Sequence, residues 1–189
     1  MNNNLDELDA ACKICHNCSL ADTRTNVVFG VGNKNAEVMF IGEAPGQNED
    51  INGEPFIGKS GMLLDNMLSA INLNRDKIYI SNIVKCHPPK NRNPYSKEQN
   101  SCIEWLDYQI KFINPKIIVC LGRIAAKKII KPDFKITKDH GQWFEINGVF
   151  ITATFHPASL LRNPSQKPDA INDYLILNEK VKKLCKNTY

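Results

Sequence analysis

Four apolar, β-branched runs, separated by stretches with helical periodicity, limit what this chain can fold into. They are Glu37–Gly42 (EVMFIG), Lys77–Val84 (KIYISNIV), Lys116–Leu121 (KIIVCL) and Val149–Phe155 (VFITATF). Short, nearly continuous apolar runs of this kind read as strands buried on both faces. Between them, Leu5–Cys15 is amphipathic, and Lys59–Ala70 carries Met62, Leu63, Met67 and Leu68 on one face. Ser96, with Gln99 three residues later, predicts the N-cap of a helix running to about Ile113. Arg123–Ile130 and Asp169–Leu184 complete the helical set. Strands alternating with helices predict a three-layer α/β/α sandwich with a central, mainly parallel four-stranded sheet, formed by residues 1–189 as one domain.

Such sheets bind ligands at the carboxyl ends of their strands. The loops after Gly42, Val84, Leu121 and Phe155 therefore share one rim. Three of them are unusual in composition: GEAPGQNED, KCHPPKNRNP and HPASLLRNP. Composition adds little here, because 42% hydrophobic residues, 23% charged residues and a net charge of +4 suit many globular proteins. The N-terminal MNNNLDELDA has neither a basic nor an apolar signal region, and no apolar run reaches membrane-spanning length. A cytoplasmic chain without a membrane partner is expected, and its seven cysteines are then expected as metal ligands, core thiols or catalysts rather than disulfides.

Residues 53–60, GEPFIGKS, spell the letters of a nucleotide-phosphate loop. The physical context is wrong for one. The preceding QNEDIN forms no strand, Pro55 has no N–H to offer, Phe56 is bulky, and no acidic magnesium ligand ends the IIVCLG strand. Phe56 therefore needs another explanation. Among the cysteines, Cys12, Cys15 and Cys18 form a C-x-x-C-x-x-C run, and Cys86 and Cys102 have fifteen residues between them. Two distant groups of thiols can converge on one metal centre. The long second spacing weakens zinc, while His16 and His87 keep it open. Cys120 and Cys185 read as buried or incidental thiols.

Taken together, CHNCSLADTRTNVVFG, GEAPGQNEDINGEPFIGKSGMLLD, YISNIVKCHPPKNRNP, CLGRIAA and TFHPASLLRNP resemble the family 4, iron–sulfur uracil-DNA glycosylases. The likeness runs from about Cys15 to Asp173. It implies a 4Fe–4S cluster on Cys15, Cys18, Cys86 and Cys102, zinc being the lesser alternative, with Cys12 an extra thiol. It implies DNA containing uracil, single- or double-stranded, as the partner of a monomer. His156 would donate a hydrogen bond to the uracil carbonyl oxygen, where negative charge develops as the N-glycosidic bond breaks. Glu43 would position water or stabilise the sugar cation. Asn82 would read the base edge with its amide, and Phe56 would stack on the base.

Gly42 and Gly46 would let the backbone approach base and sugar. Ala44 stands where other families place an acid or amide beside the water, and Glu49 would crowd out the thymine methyl. Leu160 or Leu161 would fill the gap in the duplex beside Arg162. Lys85, Asn91 and Arg92 would touch phosphates. No lysine in these motifs is an evident nucleophile, so the expected enzyme leaves an abasic site without cutting the strand. The competing readings are a metal-stabilised nucleic-acid-binding module and a redox protein. The Glu43, Asn82 and His156 constellation argues against the first, and the HPASLLRNP loop, which a redox protein would not explain, against the second.

Overall fold

The computed structural model describes residues 4–188; the first three residues of the polar N-terminal stretch and Tyr189 lie outside it. The strands are β1 (Val31–Gly32), β2 (Val38–Gly42), β3 (Tyr79–Asn82), β4 (Ile117–Leu121), β5 (Trp143–Ile146) and β6 (Val149–Thr154). The helices are α1 (Leu5–Lys13), α2 (Gln47–Asn52), α3 (Lys59–Ser69), α4 (Ser96–Ile113), α5 (Arg123–Ile129), α6 (Ile136–Asp139), α7 (Pro157–Arg162) and α8 (Lys167–Leu184). The strands form one sheet in the order β1-β3-β2-β4-β6-β5. No helix among the described residues is long and apolar enough to cross a membrane.

The expected four-stranded sheet is therefore corrected to six strands. The four apolar runs form its middle, with β3, β2, β4 and β6 all parallel. The two added strands are antiparallel edges. β1 has only two residues, and β5 is half-exposed, so neither carries a buried-strand signature. A hairpin signal was nonetheless available for β5. Asn147 and Gly148, both at positive φ (52° and 80°), link it to β6, and Asn-Gly suits the twist of a tight hairpin.

Alternating residues of each central strand feed opposite layers. Met39, Ile41, Ile118, Cys120, Ile151 and Ala153 pack with Leu8 of α1, Leu106 of α4 and Ala125 and Ala126 of α5. Val38, Phe40, Ile117 and Val119 pack with Leu64 and Leu68 of α3 and with Tyr174, Leu177 and Val181 of α8. Burying both faces is what required the unbroken apolar runs.

The start of α4 also differs from expectation. Its leading N–H, on Tyr95, donates to Glu98 Oε2 at 2.7 Å, while Gln99 turns back to the Pro94 carbonyl at 3.0 Å. A carboxylate is the stronger acceptor, so Glu98 displaces the Ser96 and Gln99 arrangement. Upstream of Gly53 lies α2 and not a strand, which removes the frame that a nucleotide-phosphate loop needs.

Candidate functional site

The loops after β2, β3 and β6 enclose a cavity of about 460 Å³ at the carboxyl edge of the sheet, lined by Glu43, Asn82, Phe56 and His156 among others. Its size falls in the usual range of small-ligand sites, about 300–1,000 Å³. Asn82 closes β3 and is buried, 1% exposed, and its Oδ1 has no hydrogen-bond partner. A buried amide left unpaired is costly unless a ligand completes it. Gly42, the last residue of β2, makes room: a Cβ there would lie 2.4 Å from Asn82 Oδ1 and 2.6 Å from Phe56 Cζ.

The Phe56 ring, 5% exposed, stacks on the His156 imidazole with centroids 5.6 Å apart. His156 follows β6 and caps α7. Ala158 N donates to its Nδ1 at 3.1 Å. A backbone N–H can only donate, so Nδ1 is the acceptor and the ring proton sits on Nε2. Burial, and secondarily the Arg162 charge, lower the His156 pKa from 6.5 to about 4. The site thus holds a neutral imidazole with its remaining N–H free to donate. Just before it, Thr154 Oγ1 donates to Asp173 Oδ2 at 2.7 Å, pinning the end of β6 to α8. Gly122, at φ +89°, lets β4 approach closely, since a Cβ there would lie 2.8 Å from His156 Cβ.

Burial also raises the Glu43 carboxyl from 4.5 to about 7, opposed by the charges of Arg123 and Arg162. Glu49 lines the same cavity, but its carboxylate is engaged: Ile57 N and Gly58 N both donate to Oε1 at 3.0 Å. A Cβ on Gly46 would lie 2.6 Å from Glu49 Oε2, so this glycine admits a carboxylate side chain. Ala44 lines the wall and offers no acid or amide there.

Two of the expected DNA contacts are corrected. Lys85 is 1% exposed, and its Nζ donates to Ser81 Oγ (2.6 Å), Gln109 Oε1 (2.6 Å) and the Asn82 carbonyl (2.8 Å). Lying just past the end of β3, it points inward to Gln109 of α4, where it cannot meet a phosphate. Leu160 is fully buried against Phe155 and Ala170, whereas Leu161, next to Arg162, is 44% exposed. Asn91 and Arg92 do reach the cavity rim. Arg92 is also spent on Glu98, at 2.6 and 2.8 Å, and lies over the Tyr95 ring. Pro45, Ser60, Pro88, Asn93 and Ala158 also line it; all lie within the quoted loop motifs, but none had been given a role of its own.

On the opposite flank of β3, Cys12, Cys15, Cys18, Cys86 and Cys102 line one small cavity, into which neither His16 nor His87 projects. The His87 Nε2 pairs instead with Asn91 Oδ1 at 3.0 Å. Three sulfurs accept N–H groups: Cys86 from Arg24 Nη1 (3.4 Å), Cys102 from Lys85 N (3.3 Å) and Cys15 from Asn17 N (3.5 Å). Cys120 and Cys185 are buried elsewhere.

Fold and site together define a doubly wound α/β protein with an amide, an aromatic ring and a neutral histidine in a strand-end pocket. Residues 29–176 match the model of the Uracil DNA glycosylase superfamily. The type-4 uracil-DNA glycosylase of Archaeoglobus fulgidus is 40% identical, over 96% of this chain and 93% of its own length. Those of Sulfurisphaera tokodaii and Thermotoga maritima are each 43% identical, covering 87% and 82% of this chain and 79% and 82% of their own. The chain belongs to the type-4 uracil-DNA glycosylase family.

Proposed function

We propose that this chain hydrolyses the N-glycosidic bond of uracil in DNA and leaves an abasic site. The observation that carries the reading is the buried, unpartnered carboxamide oxygen of Asn82, a residue that lines the same cavity as Phe56 and His156. An amide presents an acceptor to the uracil N3–H and a donor to O4, whereas cytosine reverses that pattern. Phe56 offers a face for the extruded base to stack on. His156 donates its Nε2–H to the carbonyl oxygen on which charge accumulates as the bond breaks. Because that imidazole is neutral, it stabilises the uracil anion without becoming a competing acid. Arg162, Asn91 and Arg92 on the rim would meet the duplex, with Leu161, exposed in the adjoining hollow, as the apolar wedge. Glu49 acts through the loop it holds.

The test is a labelled oligonucleotide with one uracil, incubated in EDTA and then treated with alkali. Alkali-dependent cleavage at uracil, and none at cytosine or thymine, supports the reading. Strand cutting without alkali would sink the monofunctional assignment.

Glu43 is the group that sets the pH response. As the carboxylate, it stabilises the sugar cation or orients the incoming water. With its pKa raised to about 7, the active form declines below neutrality, so excision falls about tenfold per pH unit there. His156 stays neutral over the same interval. Glu43→Gln is expected to be slow and to lose this acid limb in single-turnover rates between pH 5 and 9. The sign for stability is opposite. The folded state takes up a proton at Glu43 between pH 4.5 and 7 that the unfolded state does not, so ionising it above pH 7 is destabilising. Allowing for its partial exposure, Glu43→Gln is expected to stabilise the fold at pH 8 by about 1–2 kcal/mol.

The thiol cavity supports a 4Fe–4S cluster on Cys15, Cys18, Cys86 and Cys102. The donors that line it are sulfurs without imidazoles, and N–H groups point at three of them, as at iron–sulfur thiolates. When bound, such a cluster cross-links the N-terminal segment to the β3–α4 segment. Cys86→Ser is expected to lose most of the iron and the visible absorption of anoxically purified protein. Zinc without iron in the unmutated protein would overturn the cluster.

A further inference from the structure

Phe56 occupies its place at a conformational penalty. Its φ is +54°, a region that a bulky L-residue adopts only when its surroundings impose it. The imposing groups are visible on both sides of the loop. On the cavity side, Glu49 takes the N–H groups of Ile57 and Gly58. On the far side, Arg75 donates Nη1 to the Pro55 carbonyl at 3.0 Å and Nη2 to the Phe56 carbonyl. Arg75 is in turn oriented by Asp65 of α3, with Nε to Oδ1 at 2.8 Å and Nη2 to Oδ2 at 3.3 Å. The first turn of α3 closes the remaining side, because a Cβ on Gly61 would lie 1.6 Å from the Phe56 oxygen. Arg75 has no contact with the cavity, and its side chain is 23% exposed on a separate surface hollow.

We propose that Arg75 is a positioning residue of the base pocket. Its guanidinium, aligned by Asp65, holds the 55–56 carbonyls so that the Phe56 ring lies against His156 and presents a fixed face to the base. A planar fork is required, since one group must meet two carbonyls and the Asp65 carboxylate together, which a lysine ammonium does poorly; Glu54 Oε1 also lies 3.6 Å from Nη1. The inference rests on the reading of Phe56 as the stacking ring.

The experiment compares Arg75→Gln, Arg75→Lys, Asp65→Asn and Phe56→Ala in the full chain, with two ligands. One is free uracil, measured as an inhibitor of excision. The other is duplex DNA carrying a tetrahydrofuran abasic analogue, which offers no base to stack. Arg75→Gln is expected to weaken uracil inhibition about tenfold and to leave abasic-DNA affinity unchanged. Arg75→Lys should recover little of the loss, and Asp65→Asn should reproduce it in smaller measure, which preserves the test if Arg75→Gln fails to fold. In the Phe56→Ala background, Arg75→Gln should add nothing further.

Unchanged uracil inhibition in folded Arg75→Gln, or an equal loss for both ligands, overturns the positioning role. Unchanged inhibition in Phe56→Ala instead overturns the stacking reading beneath it, so the two failures are distinguishable.

Discussion

Replacing Asn82 with Ala is expected to lower kcat/KM for uracil excision by about a thousandfold or more, with the fold intact. The magnitude follows from what the pocket would lose. A site that hydrogen-bonds its substrate discriminates far more strongly than one that only packs against it, because an unmet buried polar group on either side carries its full desolvation penalty. Asn82 Oδ1 is already unpartnered, so alanine removes an unsatisfied atom from the free protein and transfers the penalty to the bound uracil. The free variant should therefore melt at the same temperature as the parent or slightly higher. Thermal denaturation beside single-turnover kinetics on the uracil oligonucleotide checks both statements. A variant that excises normally would mean that the base is read elsewhere in the cavity.

His156→Ala carries the second-largest expected effect, about a hundred- to thousandfold in kcat, the usual loss when one donor to a developing oxyanion is removed. KM should change less, because the hydrogen bond strengthens as charge accumulates and contributes little to the ground state. The structure adds a sharper form of the prediction. With Ala158 N donating to Nδ1, only Nε2 can donate, and the ring stays neutral down to about pH 4. His156→Gln presents an amide donor from a similar position and is expected to recover part of the loss. The residual activity of His156→Ala should keep the acid limb near pH 7, since that limb belongs to Glu43. Disappearance of the limb in His156→Ala would reassign it to the histidine.

Much of this architecture is legible in local sequence. The four central strands and the long helices α1, α3, α4, α5 and α8 lie within about two residues of where periodicity puts them. Residues packed on both sides must be apolar at nearly every position, and that requirement is written along each strand. For the same reason the strand ends could be read; Glu43, Phe56, Asn82 and His156, picked out by the resemblance of the loop motifs, gather around one cavity there.

Edges and polar side chains were harder to read. β1 and β5 need only one partner each, so few of their residues are constrained, and only the Asn147–Gly148 turn advertised one of them. Lys85 has the sequence appearance of a phosphate contact and is instead an interior donor to three oxygens. Its acceptor Gln109 is 24 residues away.

The sequence by itself determined the layered α/β frame and which loops share a rim, because burial on both faces of a strand is a local constraint. Only the tertiary structure decided that Leu160 anchors while Leu161 is presented, that His156 carries its proton on Nε2, and that Arg75 holds Phe56 from behind. Each of those depends on a direction and a partner. A hydrogen bond reaching nineteen residues along the chain has no local pattern to announce it.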